Sequence, residues 1–177
     1  APKSTSTSKF HCASEIVANR TRLVADAAGM THWSCSRSTL VSLQASATPL
    51  AVDALASAER PVLYAGGGVI SARATAELAA LAEALDVPVA HTLMGKGCLP
   101  DGHPLLVGQT GFWGLPIAND LCRTADVIVA VGTRLAEANS SSWDPRFTFD
   151  IPPTRLIHID ADEAEIGRNY QTDLGVA

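Results

Sequence analysis

The stretch PVLYAGGGVISARATAELAALAEAL, residues 61–85, decides the fold. PVLYAG (61–66) is a short β-branched and aromatic run closed by glycine, which reads as a buried strand and a turn. SARATAELAALAEAL (71–85) is rich in helix formers and reads as the helix that follows. Strand, glycine turn and helix in that order make the first unit of an α/β sheet. The glycines have two physical uses. They let main-chain N–H groups approach a ligand with no Cβ in the way, and they let strand and helix pack closely.

Outward from this unit the same grammar repeats. LAVDALASA (50–58) predicts a helix before the first strand, and VPVAHT (87–92) a second buried strand. The irregular, glycine-bearing stretch LMGKGCLPDGHPLLVGQTGFWG (93–114) then predicts a long functional loop. LPIANDLCRTA (115–125) has helical spacing, while DVIVAVG (126–132) and RLIHIDAD (155–162) are further apolar strands. Continuous apolar strands belong to a sheet covered on both faces, hence to a parallel sheet between helices. The expected fold is α/β, Rossmann-like and doubly wound. Residues 1–48, rich in Ser and Thr, have a different character and are left unassigned as an atypical N-terminal segment, a linker or foreign sequence; residues 49–177 form the domain.

Composition narrows the partners. The net charge of -5 and an isoelectric point near 5.4 argue against a nucleic-acid surface, which needs clustered Lys and Arg. No apolar stretch is long enough to cross a bilayer, and the first ten residues lack the apolar core of a signal peptide, so a cytoplasmic location is expected. The sequons at Asn19 and Asn139 then carry no weight. Cys12, Cys35, Cys98 and Cys122 are unevenly spaced and read as reduced, mostly buried thiols. A zinc site from His11, Cys12, His32 and Cys35 has the right donors, but its spacing follows no zinc pattern.

At the carboxyl end of such a sheet, where open α/β folds bind ligands, Gly66, Gly67 and Gly68 occupy the first turn. Gly66 and Gly68 match the first two glycines of a dinucleotide fingerprint, but Ser71 stands at the third and His91 where a ribose-binding carboxylate belongs, which disfavours NAD. Gly95, Gly97, Gly111, Gly114 and Gly132 are expected to line the same edge, with Arg134, Asp160 and Asp162 supplying charge. Asp162 also suits the N-cap of a helix over EAEIGRN. His91, His103 and His158 have no nucleophile partner in a recognisable motif, and Trp113 reads as packing more than as a stacking surface. No catalytic or metal-binding residue is assigned.

The succession RPVLYAGGGV, VPVAHTLMGKGCLPDGHPLLVGQTG, ADVIVAVGTRL and RLIHIDADEAEIGRN resembles the central domain of thiamine diphosphate-dependent enzymes of the acetolactate synthase group, and TLMGKGCLPDGHPL is similar to glyoxylate carboligase. The resemblance covers about residues 50–170 and implies a sheet of about six parallel strands. It implies a non-catalytic middle domain of a carboligase or lyase acting on 2-keto acids. Thiamine diphosphate and magnesium would be held by pyrimidine- and diphosphate-binding domains that this chain lacks, within a homo-oligomer. In flavin-containing members the middle domain holds FAD; by matching position Gly66, Gly67, Gly68, Thr92, Leu93, Gly111, Arg134 and Asp160 would contact FAD or another ADP-containing ligand. After Arg134 the chain runs LAEANSSSWDPR, where acetolactate synthases carry an acidic pair, an arginine and VTG. A stand-alone nucleotide-binding module and a purely structural oligomerisation domain with an empty pocket stand as alternatives.

Overall fold

The computed structural model describes residues 49–177. The zinc candidate from His11, Cys12, His32 and Cys35, and the reading of residues 1–48, lie outside the described residues. Six strands, β1 (Pro61–Ala65), β2 (Val89–His91), β3 (Leu106–Gln109), β4 (Val127–Val131), β5 (Arg155–Ile159) and β6 (Leu174–Val176), form one sheet. Their order is β3-β2-β1-β4-β5-β6 and every pairing is parallel. This is the doubly wound Rossmann-like order, in which the chain starts in the middle, builds outward to β3 and then crosses to the other side of β1 at β4.

Strand alternation sorts the core into two layers. Leu63, Val89, Val129 and Ile157 face one side, where α1 (residues 49–57), α2 (Gly67–Ser71) and α3 (Thr75–Leu85) cover them. Leu78 and Ala82 form the buried stripe of α3, four residues apart and therefore on one face. Val62, Tyr64, Ala90, Ala130 and Leu156 face the other side, under α4 (Pro116–Thr124) and the irregular connection after β4. On this face Tyr64 is paired in register with Ala90 on one strand and Ala130 on the other. Two small neighbours leave room for its ring, which meets Phe149 edge-on at 5.0 Å between centroids, and Phe149 meets Tyr170 likewise at 5.9 Å. Edge-on pairs of this kind contribute about 0.5–1.5 kcal/mol each beyond the area they bury.

Four details depart from the sequence reading. The helix expected over 71–85 begins earlier as α2 and breaks at Ala72–Ala74, where Arg73 turns left-handed at φ 57° before α3 starts. The stretch expected to be one long loop contains β3, because LVGQ hydrogen-bonds alongside β2 once the chain folds back. No helix follows Asp162: residues 163–169 form turns and bends, and the Asp162 carboxylate accepts the Ala164 N–H at 3.0 Å. The last strand, β6, has no counterpart among the strands located in the sequence and pairs with β5 through only three residues. Among the described residues no helix is long and apolar enough to cross a membrane.

Candidate functional site

In register across the sheet, His91, Ala65, Val131 and Ile159 end β2, β1, β4 and β5. The turns that begin at Thr92, Gly66, Gly132 and Asp160 therefore stand side by side, and Thr110 and Gly111 follow Gln109 at the end of β3. The structure thus brings the sequence-predicted residues to one edge. Its switch point lies between β1 and β4, where crossovers diverge and ligands of open sheets bind.

The turns at the switch point interlock. The Gly66 N–H donates to the Val131 carbonyl and the Gly68 N–H to the Gly132 carbonyl, each at 2.9 Å. A Cβ on Gly66 would run into the Gly132 carbonyl oxygen and lie 2.5 Å from the Thr133 Cβ; one on Gly68 would lie 2.6 Å from the Gly132 Cα. Gly132 itself is left-handed at φ 59° and would strike the Gly68 Cα at 2.7 Å. The outer glycines of the triplet are therefore explained by backbone packing against a third glycine 64 to 66 residues away. Gly67 differs. A Cβ there would only graze Met94 at 3.0 Å, and its N–H, at the first helical position, has no intrahelical carbonyl to reach.

The remaining candidates divide in the same way. Thr92 is buried, and its hydroxyl accepts the Gly95 N–H at 2.9 Å, capping the short turn Leu93–Gly95. Leu93 is 55 % and Met94 73 % exposed. Gly111 is clamped from two sides: its N–H donates to the Asn119 side-chain oxygen at 2.8 Å, and its carbonyl accepts from the Asn119 amide at 3.1 Å. The Ala138 carbonyl closes the space a side chain at Gly111 would need. Gly95 and Gly114 are likewise pressed against backbone, of Ala65 and Thr110 respectively, so these two pack and do not line a cavity. Arg134 is exposed and makes no ion pair among the described residues, while its carbonyl accepts from Asn169 at 2.8 Å. One Asp160 carboxylate oxygen accepts the Asp162 N–H at 3.0 Å.

The histidines are held by neighbours. A carbonyl can only accept, so His91 donates through Nδ1 to the Thr92 carbonyl at 2.8 Å and His158 through Nε2 to the Thr133 carbonyl at 2.7 Å. His103 accepts the Leu105 N–H on Nδ1 and pairs through Nε2 with Glu83 at 3.1 Å, tying the loop before β3 to α3. The described cysteines, Cys98 and Cys122, are free and buried, and burial pushes both thiols up from their ordinary range. No group of three or more potential metal ligands occurs among the described residues.

Residues 50–177 match the family model for the thiamine pyrophosphate enzyme central domain, which covers the whole of the described sheet. The chain belongs to this family. The central domain is 44 % identical over 130 residues to the probable acetolactate synthase large subunit of Methanocaldococcus jannaschii, covering 71 % of the chain and 21 % of the relative. It is 40 % identical over 129 residues to the acetolactate synthase of Arthrospira platensis, with 71 % and 22 % covered, and 39 % identical over 126 residues to that of Mycobacterium bovis, with 71 % and 20 % covered. The chain thus spans about a fifth of the length of the curated relatives it matches.

Two features of the site were missed by sequence reasoning. The first is Asn119, whose amide organises the β3 turn from within α4; a lone Asn in an amphipathic helix gives no local signal. The second is Trp113, expected to be packed. It is 75 % exposed and touches Phe112 edge-on, with 6.2 Å between ring centroids.

Proposed function

We propose that this central domain works within a thiamine diphosphate-dependent carboligase or lyase acting on 2-keto acids, in the cytoplasm, as a non-catalytic spacer between pyrimidine-binding and diphosphate-binding domains. The match confined to the central-domain family and the similarity to acetolactate synthases several times longer support this reading. Thiamine diphosphate and magnesium would be held by those other domains, where the cofactor supplies the electron sink that decarboxylation of a 2-keto acid requires. Reading the coding sequence on both sides of residues 49–177 tests it. Flanking segments with no catalytic glutamate before and no Gly-Asp-Gly motif after would overturn it.

The carboxyl edge adds a nucleotide site, with FAD or another ADP-bearing ligand as its occupant. One observation carries this: at the switch point the Gly67 N–H and the Arg134 side chain are left unspent on adjoining turns, a donor and a cation of the kind a diphosphate takes. Asp160 would accept from ribose hydroxyls. Gly66, Gly68 and Gly111 would shape the walls, and Thr92 and Leu93 would contact the ligand. Titration calorimetry of the purified chain with FAD, ADP, NAD and coenzyme A tests the assignment: saturable heat is expected with FAD and ADP, weakened in Arg134→Ala. No heat with any of the four refutes it. The empty scaffold would then stand, a reading favoured by the Gly66 and Gly68 N–H groups being spent on the β4 turn.

A further inference from the structure

The Arg134 side chain is exposed and unpaired among the described residues, yet the backbone that carries it is pinned on both sides. Before it, the carbonyl of buried Thr133 accepts from His158 Nε2 at 2.7 Å, and the Thr133 hydroxyl accepts the Leu135 N–H at 3.3 Å. The Arg134 carbonyl itself accepts from the Asn169 amide at 2.8 Å. After it, Leu135 turns left-handed at φ 49°, uncommon for a bulky residue, and sinks its side chain into the core. The Leu135 carbonyl accepts from Ser140 Oγ and from Trp143 Nε1, each at 3.0 Å. Reaching that carbonyl takes a strained path. Ser141, Ser142 and Trp143 are left-handed in succession, at φ 49°, 58° and 57°. Such a run is unfavourable for residues with a Cβ and persists only where surrounding contacts fix it. Here the Ser141 hydroxyl meets that of Thr148 at 2.7 Å, the Ser142 hydroxyl donates to Glu137 at 3.2 Å, and the path returns the Trp143 indole to the turn that carries Arg134.

We propose that His158, Asn169 and Trp143 are positioning residues, which brace Arg134 as a preformed cation for the diphosphate of a nucleotide. The inference rests on the nucleotide reading of the carboxyl edge and names the residues that would give that site its strength. An arginine on a loose turn loses backbone and side-chain freedom when it takes a ligand, and that loss is subtracted from affinity. Here donors from β5 (His158), from the β5–β6 connection (Asn169) and from the connection after β4 (Ser140 and Trp143) already fix residues 133–135. Only the Arg134 side chain is left to be ordered, so more of a charge-assisted bond to phosphate survives as binding. Trp143 has one donor, its indole N–H, and spends it on the Leu135 carbonyl, so it acts through Arg134. The stretch LAEANSSSWDPR, which departs from the acetolactate synthase pattern, supplies this part of the brace.

A double-mutant cycle on the full chain, titrated with ADP in the calorimeter, tests the proposal. Arg134→Ala should weaken ADP binding about tenfold or more. Asn169→Ala, at an exposed residue, and Trp143→Phe, which keeps an aromatic ring and drops the donor, should each weaken it about threefold. In the Arg134→Ala background neither should weaken it further, because residues that act through Arg134 have nothing left to position. Circular dichroism establishes that the variants keep the native fold; should Trp143→Phe lose it, Asn169→Ala is read alone. Losses that persist undiminished without Arg134 belong to a general loosening of the edge and overturn the brace. Unchanged ADP affinity in the single brace variants overturns it equally. A wild-type chain that gives no heat with ADP overturns the nucleotide reading and the brace with it, so the wild-type titration tells the failure of that reading from a failure of the brace alone.

Discussion

Adding one methyl group to Gly66 perturbs the switch point without touching any side-chain chemistry. The residue is extended, at φ −99°, so alanine costs nothing in backbone conformation there. The cost is steric: the new Cβ enters the Gly132 carbonyl and the Thr133 Cβ, and backbone cannot rotate out of the way as a side chain can. Relief requires the ends of β1 and β4 to separate, against the hydrogen bond from the Gly66 N–H to the Val131 carbonyl. Overpacking of this kind costs about 1–3 kcal/mol, and the rigid obstacle puts Gly66→Ala near about 3 kcal/mol. In a domain of this size that lowers the melting temperature by roughly 10 °C.

Three other glycines separate the contributions. Gly102 has nothing within 4 Å of an added Cβ and no positive φ, so Gly102→Ala should stay within about 0.5 kcal/mol of wild type. Gly97 has open space but φ +90°, so Gly97→Ala should show the conformational cost alone, about 1–2 kcal/mol. Gly132 combines φ +59° with the contact on Gly68, and Gly132→Ala should be the worst of the four, about 4 kcal/mol. Urea unfolding followed by circular dichroism gives all four values. A Gly66→Ala midpoint indistinguishable from that of Gly102→Ala would refute the packed-seam account of the glycine triplet.

Asn119→Ala removes both bonds to Gly111 and the one accepted from Thr148 at 3.2 Å. Freed groups cost about 1–3 kcal/mol each where water cannot reach them, so a loss of at least about 2 kcal/mol is expected, with hydrogen exchange at the Gly111 amide rising ahead of exchange in the strands. Burial pushes the Asp126 carboxyl up, but backbone N–H groups, those of Glu59 at 2.7 Å and Arg60 at 2.9 Å among them, outweigh it and hold the carboxyl below its ordinary value. A depressed carboxylate stabilises the fold above its unfolded pKa and loses that contribution as pH falls through the folded one. The stability difference between wild type and Asp126→Asn should therefore be constant at neutral pH and shrink below about pH 4, as unfolding midpoints across pH 2–7 would reveal. Cys98 and Cys122, buried and with raised thiol pKa values, should resist iodoacetamide at pH 7.5 until the chain is unfolded, as peptide mapping would establish.

The order of strand and helix was legible along the chain because β1 and β4 are almost wholly apolar, and β5 carries an apolar run after Arg155, so that they must be covered on both faces whatever their neighbours. By itself the sequence also determined the family and the edge where Gly66, Thr92, Arg134 and Asp160 gather, since parallel strands carry their following turns to one side. Its limits were local. LVGQ became β3 only by pairing with β2, and LGV became β6 only by pairing with β5; neither run has enough apolar length to declare a strand alone. The break at Arg73 could not be read from residues that all favour helix. The triplet AGGG was the most ambiguous stretch, because glycine serves close ligand approach and close backbone packing for the same reason, its missing Cβ. Only the tertiary structure divided the three: Gly132, far along the chain, takes up the space beside Gly66 and Gly68 and accepts the Gly68 N–H, leaving Gly67 as the one glycine of the turn with its donor unspent.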